Sequence, residues 1–342
     1  MSHPLEPRVA AYIAGKMPEA TDVAVVDMER ISGGASRETY RFRLTWTEAA
    51  APRERRLILR RDPPASLIDT ERRVEFEAYR AFADSAVPVP RMLWLEEEKA
   101  ALDHPFFIAE EIAGFQASPQ VLLSGAHEAV LPRVAERKWT ILGEIARADP
   151  EAVGLTRWLE APVPDACWKR ELDHWEALLD RDQAEPLPIT RAAIRWLRAN
   201  PPPPAQKLSV VHGDFRTGNF LYDEAGAIHG VLDWEMCHLG DPLEDLGWSL
   251  QPIWTFGREG KAGGLCSPEE AVAIWERASG LKADPAALHW WTLFNCVKGQ
   301  GIWVGSAAAF NGGGNRAPIM IYPAWWLINA QDRAMMKVMG RL

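Results

Sequence analysis

Residues 210–248 read VVHGDFRTGNFLYDEAGAIHGVLDWEMCHLGDPLEDLGW and set Asp214, Asn219, Asp233, Asp241 and Asp245 between short apolar runs. Oxygen-bearing side chains on the edges of buried strands cost free energy unless hydrogen-bond donors or a cation meet them. A fold that contains this stretch must satisfy them internally or hold something positive among them. NFLY and AIHGVLDW flank DEAG, a hairpin turn, so Asn219 at one end and Asp233 at the other become neighbours. An amide oxygen beside a carboxylate suits a hard divalent cation, which takes oxygen ligands and keeps waters. Asp214 stands five residues before Asn219. As a free carboxylate beside a metal and a phosphate, it can accept a hydroxyl proton. The competing reading makes these residues caps of turns and helices. It suits Asp241, before Pro242, and Asp245, four residues on, which read as braces for the loop. It does not account for the ordered set HGDxxxxN followed by a strand ending in LDW.

Upstream, the pattern is a helix followed by strands. Leu5, Val9, Tyr12, Ile13 and Met17 have helical spacing. VAVVDMERI (23–31) reads as a strand, ETYRFRLTW (38–46) alternates cleanly, and RRLILR (55–60) follows as a third. A helix over 71–84, with Thr70 as its cap, precedes strands at 91–96 and 106–112. Beyond Gly114 the pattern turns helical, roughly over 126–148, 168–181, 189–199, 267–279, 285–309 and 323–339, with ANPPPPAQ (199–206) as a stiff connector. The expectation is an α+β chain of two lobes, 1–112 and 113–342, with the quoted stretch as an island of strands in the helical part.

Composition narrows the function. A net charge of −9 argues against nucleic acid, which needs a basic footprint. No apolar run is long enough to span a bilayer and the N-terminus lacks a signal peptide's pattern, so no membrane partner is expected. Cys167, Cys237, Cys266 and Cys296 are far apart and match no zinc spacing, which suits free thiols in a reducing cytoplasm. Sixteen tryptophans fill a core or, in part, line a pocket for an apolar or planar ligand.

HGDFRTGN, VLDWE and LGDPLEDLGW together resemble the aminoglycoside phosphotransferase (choline kinase-like) family, and most of all the proteins related to kinase domains fused to acyl-CoA dehydrogenases. The resemblance runs over roughly 25–340 and implies a two-lobed protein kinase-like fold, ATP or GTP as phosphoryl donor and Mg²⁺. It implies Asp214 as catalytic base, Asn219 and Asp233 as metal ligands, and His212 as a structural residue of the loop. SGGAS (32–36) would then be the phosphate-covering hairpin, with Gly33, Gly34 and the Ser36 hydroxyl near a phosphate. Arg60, in LILRR, stands where kinases usually carry a lysine on the third strand, and Glu75 on the following helix is its expected partner. Glu110 and Ile112, in FFIAEEIAG, would offer backbone groups to the base, with Leu221 and Leu232 flanking it or simply packing.

The acceptor is expected to be a small molecule with a hydroxyl group. Aminoglycoside kinases take polycations through many acids, whereas 285–342 has few acids and many aromatics. A hydroxyacyl-CoA or another apolar alcohol suits it better, with Lys298, Arg316 and Arg333 available to phosphates. Trp291, Phe294, Lys298 and Trp303 either face that acceptor or belong to a core helix with Lys298 in solvent. The rival readings are a catalytically weak pseudokinase, favoured by Arg60, and an aminoglycoside kinase. A protein kinase fits less well, because HRD, DFG and APE are missing.

Overall fold

Strand β2 (Glu38–Glu48) buries Tyr40, Phe42, Leu44 and Trp46 and turns the residues between them outward. Period-two burial of this kind fixes register, since a one-residue slip would expose all four, at about 2 kcal/mol each. The structure, a computed structural model, describes residues 3–31, 38–62, 72–313 and 315–342. β2 pairs with β1 (Thr21–Ile31) and β3 (Ala51–Arg61), and β5 (Phe106–Glu110) with β4 (Met92–Glu96) completes an antiparallel sheet in the order β1-β2-β3-β5-β4. Helix α1 (Glu6–Lys16) buries Val9 and Ile13 against one face of this sheet. Helix α2 (Arg72–Ala81) lies at its far side, but Phe76, Ala78, Tyr79 and Phe82 pack into the larger core with Phe107 and Ala109. The smaller lobe is thus tied to the larger one by α2 and the inner face of β5.

The larger lobe holds α3 (Pro119–Leu122), α4 (Leu131–Arg147), α5 (Cys167–Asp182) and α6 (Pro188–Ala199). Then come β6 (Ser209–Val211), β7 (Phe220–Tyr222), β8 (Ile228–Val231) and β9 (His238–Gly240), followed by α7 (Leu243–Leu250), α8 (Pro268–Ser279), α9 (Pro285–Asn311), α10 (Pro318–Tyr322) and α11 (Ile328–Val338). Helix ends follow side-chain chemistry. Ser267 and Asp284 accept backbone amides at the starts of α8 and α9, and Gly280 ends α8 with φ 75°. Three departures from the sequence pattern have local causes. The helix expected from 126 starts at Leu131, after a 3₁₀ turn at Glu128–Val130. The last helix is broken by a π turn at Pro323–Leu327, where Pro323 has no amide hydrogen to give the preceding turn. β9, which pairs with β6 through Val210 and Leu239, is three residues long and carries no strand signal of its own.

Helix α9 is buried on every side between Leu293 and Gly301. Trp291, Phe294 and Lys298 lie within the core, and only Trp303 of the expected acceptor-facing set is part-exposed. Lys298, at 1% exposure, is not in solvent.

Candidate active site

The β7–β8 hairpin and the loop before it bring the motif residues together. Phe220 pairs with Val231, and the Leu232 amide donates to the Asn219 carbonyl at 2.8 Å, so Asn219 and Asp233 are neighbours across the hairpin mouth. Their side chains turn in different directions. Asn219 Nδ2 donates to Asp214 Oδ2 at 2.7 Å and to the Asp214 carbonyl at 2.9 Å. Asp233 Oδ1 meets Arg60 Nη1 at 2.8 Å. The same guanidinium nitrogen meets Glu75 Oε1 at 2.7 Å, so β3, α2 and the hairpin converge on one cation. Glu75 is 1% exposed and is also paired with Arg72, which in turn holds Asp62.

The electrostatics follow from this packing. Burial alone would push the Arg60 guanidinium down, but Glu75 and Asp233 outweigh it and hold Arg60 well above its ordinary value. Burial pushes Asp233 up, yet Arg60 and Arg216 bring it below the usual carboxylate range. Asp214 shifts the other way. Burial raises it, the nearby Asp233 charge adds to that, and Arg216 and Asn219 only partly oppose. Asp214 Oδ1 accepts from Trp248 Nε1 at 2.9 Å and from Arg216 Nε at 3.2 Å. A carboxylate so placed is fixed in direction and more basic than an exposed one. Asp233 sits in the left-handed region at φ 63°, a conformation that costs a non-glycine residue about 1 kcal/mol or more. Its amide donates to the Tyr79 hydroxyl at 3.0 Å, which holds it there.

Two carboxylates of opposite tuning, an amide and an arginine paired to a helix glutamate thus gather where β3, α2 and the β7–β8 hairpin meet. The profile of the phosphotransferase enzyme family matches residues 27–291. The chain belongs to that family. The chain is 28% identical over 232 residues to mouse acyl-CoA dehydrogenase family member 10, a match that covers 66% of this chain and 20% of the relative. It therefore spans about a fifth of that relative's length. Among solved structures it resembles one assigned provisionally as an aminoglycoside phosphotransferase from Ralstonia eutropha, with TM-score 0.73 and 17% identity over 98% of both chains. It also resembles an aminoglycoside phosphotransferase in ternary complex with ADP and hygromycin B, with TM-score 0.58 and 20% identity over 96% of this chain and 98% of that one. Both likenesses show the two-lobed kinase-like fold.

The phosphotransferase loop is braced from below. Asp245 accepts the His212 amide at 2.6 Å and the Gly213 amide at 2.9 Å. Gly213 has φ 86°, and a Cβ there would sit 2.4 Å from the Met236 carbonyl oxygen, so only glycine fits. His212 is buried and bonded to the Leu232 carbonyl at 3.0 Å, and burial drives it down to about 4, so it is neutral. Asp241 accepts the Leu243 amide and Trp291 Nε1, at 2.9 and 3.0 Å, pinning α7 to α9.

A second layer was not legible in the sequence. Lys298 Nζ donates to the Gly213 carbonyl at 2.7 Å and pairs with Glu244 Oε1 at 3.0 Å, and it lies 5.1 Å from the Trp248 ring. His238 Nε2 bonds Glu244 Oε2 at 3.0 Å. Burial would lower His238, but Glu171 and Glu244 raise it to about 9. Burial would raise Glu244, but His238 and Lys298 bring it to about 2. With Arg170 on Glu171, these charges neutralise one another inside the protein.

At the end of β5, the Glu110 amide donates to the Arg91 carbonyl at 2.9 Å, so it is already taken. The Ile112 amide has no partner among the described residues. Ile112 Cδ1 and Leu221 lie over Gly230, where a Cβ would come within 2.7 Å of Ile112 Cδ1. The missing side chain leaves an apolar floor beside the open amide. Gly33, Gly34, Ser36, Thr70 and Glu71 lie outside the described residues.

Proposed function

We propose that this chain moves the γ-phosphoryl group of ATP or GTP to the hydroxyl of a small apolar acceptor, a hydroxyacyl-CoA or another apolar alcohol. The observation that carries the reading is the convergence on Arg60 of Glu75 at 2.7 Å and Asp233 at 2.8 Å, beside the Asp214–Asn219 pair. Residues 1–112 form the nucleotide lobe and 113–342 the acceptor lobe, with the Glu110 carbonyl and Ile112 amide on the adenine edge and Gly33, Gly34 and Ser36 over the phosphates. Arg60 steadies the α- and β-phosphates. Asp214 orients the acceptor hydroxyl and takes its proton, a task suited to a carboxylate raised by burial and aimed by Trp248.

The donor set fits magnesium. Asn219 spends its side-chain nitrogen on Asp214, which leaves its side-chain oxygen Oδ1 without a partner among the described residues, and the Asp233 side chain is 39% exposed. These are hard oxygen donors, one neutral and one anionic. Asn219 and Asp233 would hold the magnesium, whose positive charge would offset the negative charge that develops on the transferred group. The aromatic tier next to Asp214 supports an apolar acceptor. Trp248 packs on Trp254 at 5.4 Å, and Trp254 on Phe256 at 6.2 Å. Asp332 is the sole acid in 285–342, which gives a polycationic aminoglycoside little to bind.

Turnover should be measured across hydroxyacyl-CoA, aminoglycosides, choline and sugars, with Mg-ATP and Mg-GTP. Phosphorylation of an apolar alcohol, abolished by Asp214→Asn with Mg-nucleotide binding intact, is expected. Phosphorylation of an aminoglycoside alone would overturn the acceptor class, and an active Asp214→Asn enzyme would overturn the base. A second reading, a nucleotide-binding module without turnover, is favoured by the Arg60–Asp233 ion pair, which occupies one proposed metal ligand. Nucleotide binding that gains nothing from magnesium, with no product from any acceptor, is its signature.

A further inference from the structure

The C-terminal run is anchored on one face and bare on the other. Met320, Gln331, Ala334 and Met335 are buried, while Ile319, Ile321, Tyr322, Trp325 and Trp326 are exposed at 43, 37, 52, 73 and 58%. Elsewhere among the described residues, exposed large apolar side chains occur singly, as Val121, Val163 and Trp196 do. A continuous apolar outer face of this kind calls for a cover. Side chains exposed to this degree protrude and do not line a pocket.

Charge around the face is reversed from that of the molecule. Residues 315–342 carry Arg316, Arg333, Lys337 and Arg341 against Asp332 alone, in a chain of net charge −9. Lys337 pairs with Glu259. Among the described residues Arg316, Arg333 and Arg341 have no carboxylate within ion-pair distance, whereas many other arginines of the chain are paired. Arg333 acts on Glu259 at longer range, which leaves Arg316 and Arg341 as the cations most open to an anion from outside.

We propose that this face docks on an anionic lipid surface. Tryptophan and tyrosine place an apolar body and a polar edge at the headgroup boundary, and arginines beside them meet anionic headgroups. No helix among the described residues is long and apolar enough to cross a membrane, so the docking is interfacial. The expectation of no membrane partner rested on spanning segments and a signal peptide, and neither reports on a surface of this type. A second copy of the chain is disfavoured, because it would bring two sets of arginines into one contact with Asp332 as the sole acid of 315–342 to meet them. Beneath the face, Trp303 Nε1 donates to Gln331 Oε1 at 3.3 Å, and its ring lies 6.5 Å from Trp254, next to Trp248.

The test is sedimentation of the whole chain with phosphatidylcholine vesicles, with and without phosphatidylglycerol, at low and high salt. The wild type is expected to bind the anionic vesicles, and to bind less at high salt. Trp325→Ala/Trp326→Ala should lose about tenfold or more in binding with melting temperature and Mg-ATP affinity unchanged. Arg316→Gln/Arg333→Gln/Arg341→Gln should lose about fivefold per charge and with it the preference for phosphatidylglycerol. Should the tryptophan variant melt early, the arginine variant carries the test. Three results would overturn the proposal: no sedimentation with anionic vesicles; a dimer in light scattering that the tryptophan variant breaks; or binding of free coenzyme A, lost in the arginine variant, without binding to vesicles.

Discussion

Arg60 divides one guanidinium nitrogen between carboxylates on two elements, at 2.7 and 2.8 Å. A lysine is a compact point charge on a shorter reach and has no planar fork. Arg60→Lys is expected to keep Glu75 but release Asp233, lowering stability by about 1–2 kcal/mol and weakening Mg-nucleotide binding several-fold. Thermal melting and nucleotide titration would check this, and unchanged stability and affinity would mean that the planar fork of Arg60 is dispensable here. Asp214 gives a pH signature. A base must be ionised, burial raises its pKa, and activity is therefore lost as pH falls through a value above the ordinary 3.8. Arg216 opposes that rise, so Arg216→Gln should move the acid limb of kcat upward. A limb that stays put or moves down would remove Asp214 from the role. Asp214, Asn219 and Asp233 were legible in the sequence because the hairpin that joins them is local. Tyr79, Trp248 and Lys298 were not, because each meets the loop from an element 34 or more residues away, and a lone tyrosine or tryptophan reads as core.

Between elements, the ion pair of Lys298 on α9 with Glu244 on α7 joins the two helices under the catalytic loop. Both side chains are buried, so removing one partner leaves a charge inside the protein. Lys298→Met is expected to cost about 3 kcal/mol, with Glu244 keeping only His238. The double variant Lys298→Met/Glu244→Gln should recover part of that, and additive losses in denaturant melts would show that the pair is not coupled. Because Lys298 also holds the Gly213 carbonyl, kcat should fall more than KM rises. β2 was readable from alternation, and α9 from its length and apolar content. Which way α9 faced was not, since a helix apolar on all sides has no stripe to orient it. Two of the polar residues that interrupt it are internal partners of α7: Asn295 donates to the Glu244 carbonyl at 2.7 Å, and Lys298 pairs with the Glu244 carboxylate at 3.0 Å.

At the scale of the whole molecule, two buried histidines pull stability in opposite directions with pH. His212 falls from 6.5 to about 4 on folding, chiefly through burial. A depressed group stabilises fully above its unfolded value, and that stability is lost as pH drops from 6.5 toward 4, by up to about 3 kcal/mol. His238 rises from 6.5 to about 9, because Glu171 and Glu244 outweigh burial. A raised group stabilises fully below its unfolded value and loses that stability as pH climbs from 6.5 through about 9. One histidine secures the catalytic loop to the hairpin and the other secures α7 to α5, so both losses are felt across the larger lobe. The melting temperature should therefore peak near pH 6.5 and fall on both sides. His212→Asn should flatten the acid side and leave the alkaline side, and His238→Gln should do the reverse. A melting curve level between about pH 5 and 9 in the wild type would show that neither histidine holds its folded charge state as the packing requires.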